Sequence, residues 1–393
     1  MIKILFIHHA AGWGGAPKCM VNLIKDLDPA KYEVEVLLLK DSVVASKLTE
    51  FGIKYSIAES VFYKKYYRFF AHSEAGYVKW YDIFSLVFLG ISWILSRYYF
   101  ADKELVRHRF DIVHLNSSVL TDWLAPAKKR GKVIIHIREP FRKANFDILH
   151  HFFKSQIRKY SDRIIAISND NAKRIAIADK TNVIYDYCEI SKGSINVNSY
   201  GSKKVLYLGG SSTSKGFYTI VKALDYLDKE VRIYFGGSYN ISDKPGSIVG
   251  FFKYYLSNAR KRNAAIHKIF NHPNAIVIGL IYNVNDYLNE VCCLISPFSV
   301  PHFSFPVVET HFQRKPAIVS DVEGMKEIVE DGKTGRIVPV NNPIALAEAI
   351  NSIVSNTAKS KLMGEEGYRI AMNKFTPQNI EQFERVYNQL ISK

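Results

Sequence analysis

Cysteine is scarce in this chain of 393 residues: four, at positions 19, 188, 292 and 293, with no C-x-x-C pair and no metal-ligand spacing. A disulfide framework and a zinc site are both disfavoured, and a reducing cytosol is the expected setting. Long apolar runs are also lacking. The most apolar stretch, IFSLVFLGISWIL at 83–95, stops at Ser96 and Arg97, well short of the ~20 residues that cross a bilayer. Near the start, Ile4 to Ile7 is too short for the apolar core of ~7–15 residues that a secretory signal needs, so it is read as a first strand. Acidic residues are few as well. Aspartate and glutamate total 37 against 53 lysines and arginines, a net charge of +16, which implies an anionic partner: nucleic acid, a phosphorylated small molecule or an acidic membrane face. No C2H2 spacing, basic region with heptads or aromatic ribonucleoprotein motif is present, so nucleic acid is not the expected partner.

What is there is an alternation. The runs KILFI, EVEVLLL, DIVHL, KVIIHI, RIIAIS and NVIY are separated by longer amphipathic stretches. After a polar stretch at 189–203 the rhythm restarts with KVLYLGG, VRIYFGG, AIVIG, CCLISPF, PAIVS and TGRIVPV. Such alternation predicts parallel βαβ units whose strands are buried on both faces. Two doubly wound α/β domains are expected, 1–190 and 200–376, joined near 190–203. Within the first, residues 128–174 carry thirteen lysines and arginines against four acids, which concentrates the basic excess there.

Two segments break the rhythm. Residues 63–100 are dense in aromatics and cations, and two readings stay open. One is a helix buried against the first sheet. The other is an interfacial helix with Trp80, Trp93, Tyr98, Tyr99 and Phe100 at headgroup level and Lys64, Lys65, Arg68 and Lys79 on anionic lipid. Residues 239–270 read as a helical insertion in the second domain.

In open α/β sheets, ligands bind beyond the carboxyl ends of the strands, so each glycine-rich turn after a strand is a candidate. GWGGAP at 12–17 is not G-x-G-x-x-G, because Pro17 stands at the third glycine, and Asp41 is too distant for a dinucleotide's ribose ligand. Gly14 and Gly15 either make a plain tight turn or let the backbone approach a sugar or phosphate closely. GGSSTSKG at 209–216 is not a P-loop, since Ser214 and Gly216 occupy the wrong places. Lys215 would still suit a diphosphate as a point charge at the mouth of a helix. In FSFPVVETHFQR, Ser304 can cap and Pro306 suits the first turn of a helix running to Arg314. The amides of Ser304 and Phe305 would then face a phosphate along the helix dipole. Glu309, one turn in, could accept hydrogen bonds from two vicinal hydroxyls such as a ribose presents. The D-x-D of Asp26 and Asp28 lies before Pro29, at the wrong end of the sheet for a site, and no essential metal is expected.

Over nearly its whole length the chain resembles the group 1 glycosyltransferases (glycosyltransferase family 4), of GT-B fold and retaining mechanism. The matching elements are GWGGAP, DIVHLNSS, SDRIIAIS, VLYLGGSSTSKG, FPVVETHFQRKPAIVSDVEGMKEIVEDGKTGRIV and the last helix. The resemblance implies two Rossmann-like domains facing across a cleft, with a nucleotide-sugar donor held by the second. It implies that Glu309 binds ribose hydroxyls, that Lys215 neutralises the donor diphosphate, that Gly14 and Gly15 close on it, and that the turn at Gly279 and Leu280 holds the base. It also implies that the helix at 377–393 packs back on the first domain. Several positions depart from the family pattern. Pro301 stands where the first glutamate of E-x7-E belongs, and Gly210 where an arginine usually pairs with the lysine. Arg138, beside Glu139, takes the place of a histidine facing the donor sugar, and its charge is expected to replace the one missing at Gly210. The expected function is transfer of a sugar to a lipid-linked glycan acceptor in cell-envelope polysaccharide synthesis, by an enzyme peripheral to the cytoplasmic membrane face. Two alternatives remain: a GT-B sugar-nucleotide epimerase or phosphorylase, and a non-catalytic binder of nucleotide sugar or glycan.

Overall fold

The computed structural model describes residues 1–74, 83–143, 147–188, 196–241, 254, 258–281 and 283–392. The chain divides into two compact units, Met1–Glu189 together with Lys374–Lys393, and Ile190–Asn373.

The first unit is built on β1 (Ile2–His8), β2 (Tyr32–Leu38), β3 (Tyr55–Ile57), β4 (Ile112–Leu115), β5 (Lys132–Ile137), β6 (Arg163–Ala166) and β7 (Thr181–Val183). All pair parallel, in the order β3-β2-β1-β4-β5-β6-β7. The period of two along β1 explains its uninterrupted apolar run. Leu5 and Ile7 enter the core on one face of the sheet, while Ile4 and Phe6 enter the core on the other. Both faces are covered along residues 4–7, so no position in that run is left for a polar side chain. The last helix, Ile380–Ile391, helps cover the second face, burying Phe383, Val386, Tyr387 and Leu390 against Ile4 and Phe6. The spacing i, i+3, i+4, i+7 puts these four on one stripe. The Tyr387 hydroxyl also meets His114 Nδ1 at 2.9 Å.

The second unit holds β8 (Lys204–Tyr207), β9 (Arg232–Gly236), β10 (Ala275–Gly279), β11 (Cys293–Ser296), β12 (Ala317–Ser320) and β13 (Gly335–Val338). They too are parallel, ordered β10-β9-β8-β11-β12-β13. The chain runs outward from β8 to β10, then returns to lie on the other side of β8. Loops leaving β8 and β11 therefore diverge and open a crevice at this switch point. In the first unit the equivalent reversal falls between β1 and β4.

Of the two readings left open for the aromatic segment, burial against the first sheet holds for part of it. Trp93 is buried, its Nε1 donating to Thr121 Oγ1 at 3.0 Å, and Phe100 stacks on Phe62 at 4.3 Å. The interfacial alternative, with these two rings at headgroup level, is thereby corrected: a tryptophan on the inward stripe has more apolar surface to hide in the core than at a wet interface. Tyr98 and Tyr99 are exposed, whereas Trp80 and Lys79 lie outside the described residues. Within 239–270 the described helix is Ala259–Asn271, with Ile266 and Ile269 buried. Among the described residues no helix is long and apolar enough to cross a membrane.

Candidate active site

In the second unit the site begins with Tyr207, the last residue of β8. Its hydroxyl donates toward the carbonyls of Gly210 (3.2 Å) and Lys215 (3.3 Å), holding both ends of the loop between them. Gly210 has φ +53, and a Cβ there would come within 3.2 Å of the Ser238 backbone N and O. The family's arginine is thus missing from a position where this backbone resists any side chain. Gly216 has φ +77, and a Cβ would collide with the Pro297 carbonyl. That close approach, with Ser299 N donating to Ser214 O (2.9 Å) and Ser299 Oγ to Thr213 O (3.1 Å), ties the loop after β8 to the loop after β11.

Lys215 sits on this doubly fastened loop at the switch point. It is half-buried and, among the described residues, makes no side-chain hydrogen bond or ion pair. Burial lowers its pKa. His302, on the facing loop, stacks on Phe298 with ring centroids 3.9 Å apart. Burial, then the charge of Lys215, pushes its pKa down to about 3, so the imidazole is neutral at ordinary pH. Among the described residues Lys215 is left as a cation with a neutral neighbour and no counter-ion, which is the electrostatic arrangement of an anion site.

Beside it starts the helix Phe305–Phe312, with Pro306 in its first turn. Ser304 occupies the cap position with extended geometry, but it makes no side-chain cap bond; its hydroxyl accepts from Ser296 Oγ at 3.2 Å. The expected serine cap is therefore corrected, because the hydroxyl is engaged with the end of β11. The first turn has no side-chain cap, so the positive end of the helix dipole is not screened by one. The helix also stops short of Arg314. That residue adopts φ +54, and Lys315 N reaches back to Thr310 O at 3.1 Å, a left-handed C-terminal stop. Glu309 is half-buried one turn into the helix.

The remaining positions lie along the same edge. Gly279 ends β10 with φ +74, its carbonyl accepting from Gly237 N at 2.7 Å, and a Cβ there would meet nothing within 4 Å. Leu280 follows with 66% of its surface exposed. An apolar side chain held in water beside an open glycine suits the face of a planar ring. Gly210, Lys215, Gly279, Leu280, Ser304, Phe305, Pro306 and Glu309 are thus all brought to the carboxyl edge of one sheet.

Gly14, Gly15 and Arg138 are brought to the carboxyl edge of the other. Gly14 precedes the helix Gly15–Asp26 without a side-chain cap, at φ −101, and a Cβ would meet nothing within 4 Å. Neither strain nor crowding by the protein demands glycine there, which leaves room for a ligand against the backbone. Arg138 is buried. Its Nε donates to Asn116 Oδ1 at 3.0 Å, its Nη1 pairs with Asp186, and its Nη2 has no partner among the described residues. Burial is the largest single influence and works against its charge, but Asp186, Cys19 and Glu139 together outweigh it and the pKa rises. The charge that Arg138 is expected to supply in place of the one missing at Gly210 is paired with Asp186. Asn116 and Asp186 were missed in the sequence. Asp186 follows the NVIY run, and a carboxylate just past a strand was the available signal. Glu139 accepts from Ser117 Oγ (2.6 Å), Ser118 Oγ (2.8 Å) and Ser118 N (3.1 Å), and so stays anchored at the end of β5.

Comparison with known proteins finds a family match in each unit. Residues 13–185 match the family described as Glycosyltransferase Family 4, and residues 194–370 match Glycosyl transferases group 1. An uncharacterized glycosyltransferase of Methanocaldococcus jannaschii is 22% identical over 77% of this chain and 82% of its own length. The capsular polysaccharide biosynthesis glycosyltransferase CapM of Staphylococcus aureus is 26% identical over 31% of this chain and 32% of its own. Among solved structures, HepE of Anabaena in complex with UDP and glucose superposes over the whole of both chains with TM-score 0.73 and 18% identity. A TarM variant of S. aureus in complex with UDP and glycan ligands superposes over 99% of this chain and all of its own, with TM-score 0.71 and 12% identity. Two successive family matches, one on each parallel sheet, and full-length superposition on these enzymes establish the chain as a group 1 glycosyltransferase of GT-B fold.

Proposed function

We propose that the protein takes its sugar from a nucleoside-diphosphate donor bound at the carboxyl edge of the second sheet and passes it to a glycan acceptor with retention of anomeric configuration. The observation that carries this is Lys215, a cation without a counter-ion among the described residues, fixed at the switch point beside a helix start without a side-chain cap. As the bond from the sugar's C1 to the diphosphate oxygen breaks, negative charge builds on the leaving phosphate. Lys215 and the amides at Ser304 and Phe305 oppose it in a partly desolvated site. The acceptor hydroxyl forms the new bond on the same face, and its proton passes to the departing phosphate oxygen. Glu309 accepts from the ribose hydroxyls, and Leu280 with Gly279 borders the base. In the first unit, the open turn at Gly14 and Gly15 offers backbone for close approach of sugar or phosphate.

The presence of UDP in the HepE and TarM complexes supports uracil as the base. Relatives named for capsular polysaccharide and exopolysaccharide, with the basic and aromatic first unit, support a lipid-linked acceptor in cell-envelope assembly. Four buried cysteines, none in a disulfide among the described residues, accord with the cytosol. The test is a thermal-shift screen of nucleoside diphosphates and their sugars, followed by a transfer assay in buffer containing a chelator. Stabilisation by UDP and net transfer with UDP release are expected. Stabilisation without transfer to any acceptor would favour the non-catalytic reading, and loss of transfer in chelator would refute the metal-free mechanism.

A further inference from the structure

The helix Ile83–Leu95, continued through Ser96–Phe100, buries Leu89, Ser92, Trp93, Ser96 and Arg97 on one side. On the other, Val87, Phe88, Ile91, Ile94, Leu95 and Tyr98 are exposed, Phe88 by 65% and Tyr98 by 74%. Offsets of 0, 1, 4, 7, 8 and 11 put these six on a single helical stripe. A second helix, Ile148–Tyr160, lies against the first through Phe152 and Trp93, whose rings are 5.3 Å apart. It adds Ile148, 83% exposed, with Leu149 and Phe152. Scattered apolar residues on a surface need no explanation, but a contiguous stripe spread over two adjoining helices marks a contact surface.

Charge selects the occupant. Neither helix, nor the segment 61–70 beside them, contains an aspartate or glutamate. Arg68 N donates to Ser92 Oγ at 2.9 Å, which stitches that segment to the apolar helix. Lys64, Lys65 and Arg68 are exposed there, without ion pairs among the described residues. A helix of 13 residues is ~20 Å long, too short to cross a bilayer but suited to lying in its headgroup region.

We infer that this two-helix face of the first unit docks on an anionic lipid bilayer, its apolar stripe entering the acyl boundary and Lys64, Lys65 and Arg68 meeting the headgroups. The face lies on the outer side of helices that the transfer site does not use, so docking stands or falls independently of the transfer reading.

The test is co-sedimentation of the full chain with phosphatidylcholine vesicles, with and without about one third phosphatidylglycerol. Binding to the anionic vesicles is expected, at least tenfold weaker on the neutral ones. The double variant Phe88→Glu, Ile91→Glu should lose binding at least tenfold. The triple variant Lys64→Gln, Lys65→Gln, Arg68→Gln should lose about a hundredfold, since each cation near such a surface is worth about a fivefold change. All substituted side chains are exposed, so both variants should keep the wild-type melting temperature and UDP stabilisation. Equal binding by the double variant, or no binding to anionic vesicles, would overturn the inference. So would a wild-type dimer that the double variant converts to monomer, because the stripe would then be a subunit interface.

Discussion

Replacing Lys215 by methionine separates function from stability. The amine is half-buried, its pKa is lowered by burial, and it holds no hydrogen bond or ion pair among the described residues. The folded protein binds this proton less tightly than the unfolded chain does. Lys215 therefore costs stability at neutral pH, and the cost fades only as pH climbs toward the ordinary lysine value of 10.5. Lys215→Met should leave the melting temperature unchanged or raise it by a few degrees. Donor binding should respond in the opposite sense. A charged hydrogen bond to a diphosphate is worth ~1.5–3 kcal/mol, so UDP affinity should fall about 10- to 150-fold. The loss in kcat/KM should be larger still, because leaving-group charge grows in the transition state. Lys215→Arg should recover part of the affinity, restoring the charge without the geometry. Calorimetric titration of UDP beside thermal melts of the three proteins reads both effects. A destabilised Lys215→Met variant with UDP affinity within twofold of wild type would make the lysine structural and refute the site.

The protein should also be acid-labile. Burial lowers His9 and His311 to about 4, and burial with the charge of Lys215 takes His302 to about 3. The unfolded chain takes up these protons first, near 6.5, so their contribution is complete above that pH and drains as pH falls toward 4. The ideal slope is about 1.4 kcal/mol per pH unit for each group. Urea melts at pH 7 and pH 5 test this, and equal midpoints would sink it. Gly210→Arg, restoring the family residue, should lose about 1–2 kcal/mol to the left-handed backbone and to crowding at Ser238 without tightening UDP binding; a gain in affinity would contradict the loop geometry. Phe383→Ala, which empties a buried site between the last helix and the first sheet, should cost about 3–5 kcal/mol by chemical denaturation. A cost under 1 kcal/mol would mean that the last helix is not part of that core.

The twelve apolar runs picked out in the sequence all became strands, because alternation and burial on both faces are written locally, at a period of two along each run. β3 was missed. Its three residues, Tyr55–Ile57, are only half-buried at the sheet edge, so no apolar run announces them. The loops that carry Lys215, Ser304 and Gly279 were legible too, since glycine, serine and proline after a strand mark a turn wherever that strand lies. What no run could reveal was strand order: β11 returning beside β8 is what sets the loop of Lys215 against the loop of His302. The same holds for Arg138, whose partner Asp186 stands 48 positions away, and for Gly210 and Gly216, where neighbouring backbone crowds a side chain at the first and excludes one at the second. Trp93 went inward on the same helix that sends Phe88 outward, a choice made by the sheet beneath it. Sequence alone determined the elements and the chemistry of their loops, which depend on nearest neighbours. Which loops meet, which charges are matched and which face stays bare depended on long-range pairing, where burial of the whole core, and not local preference, decides the energy.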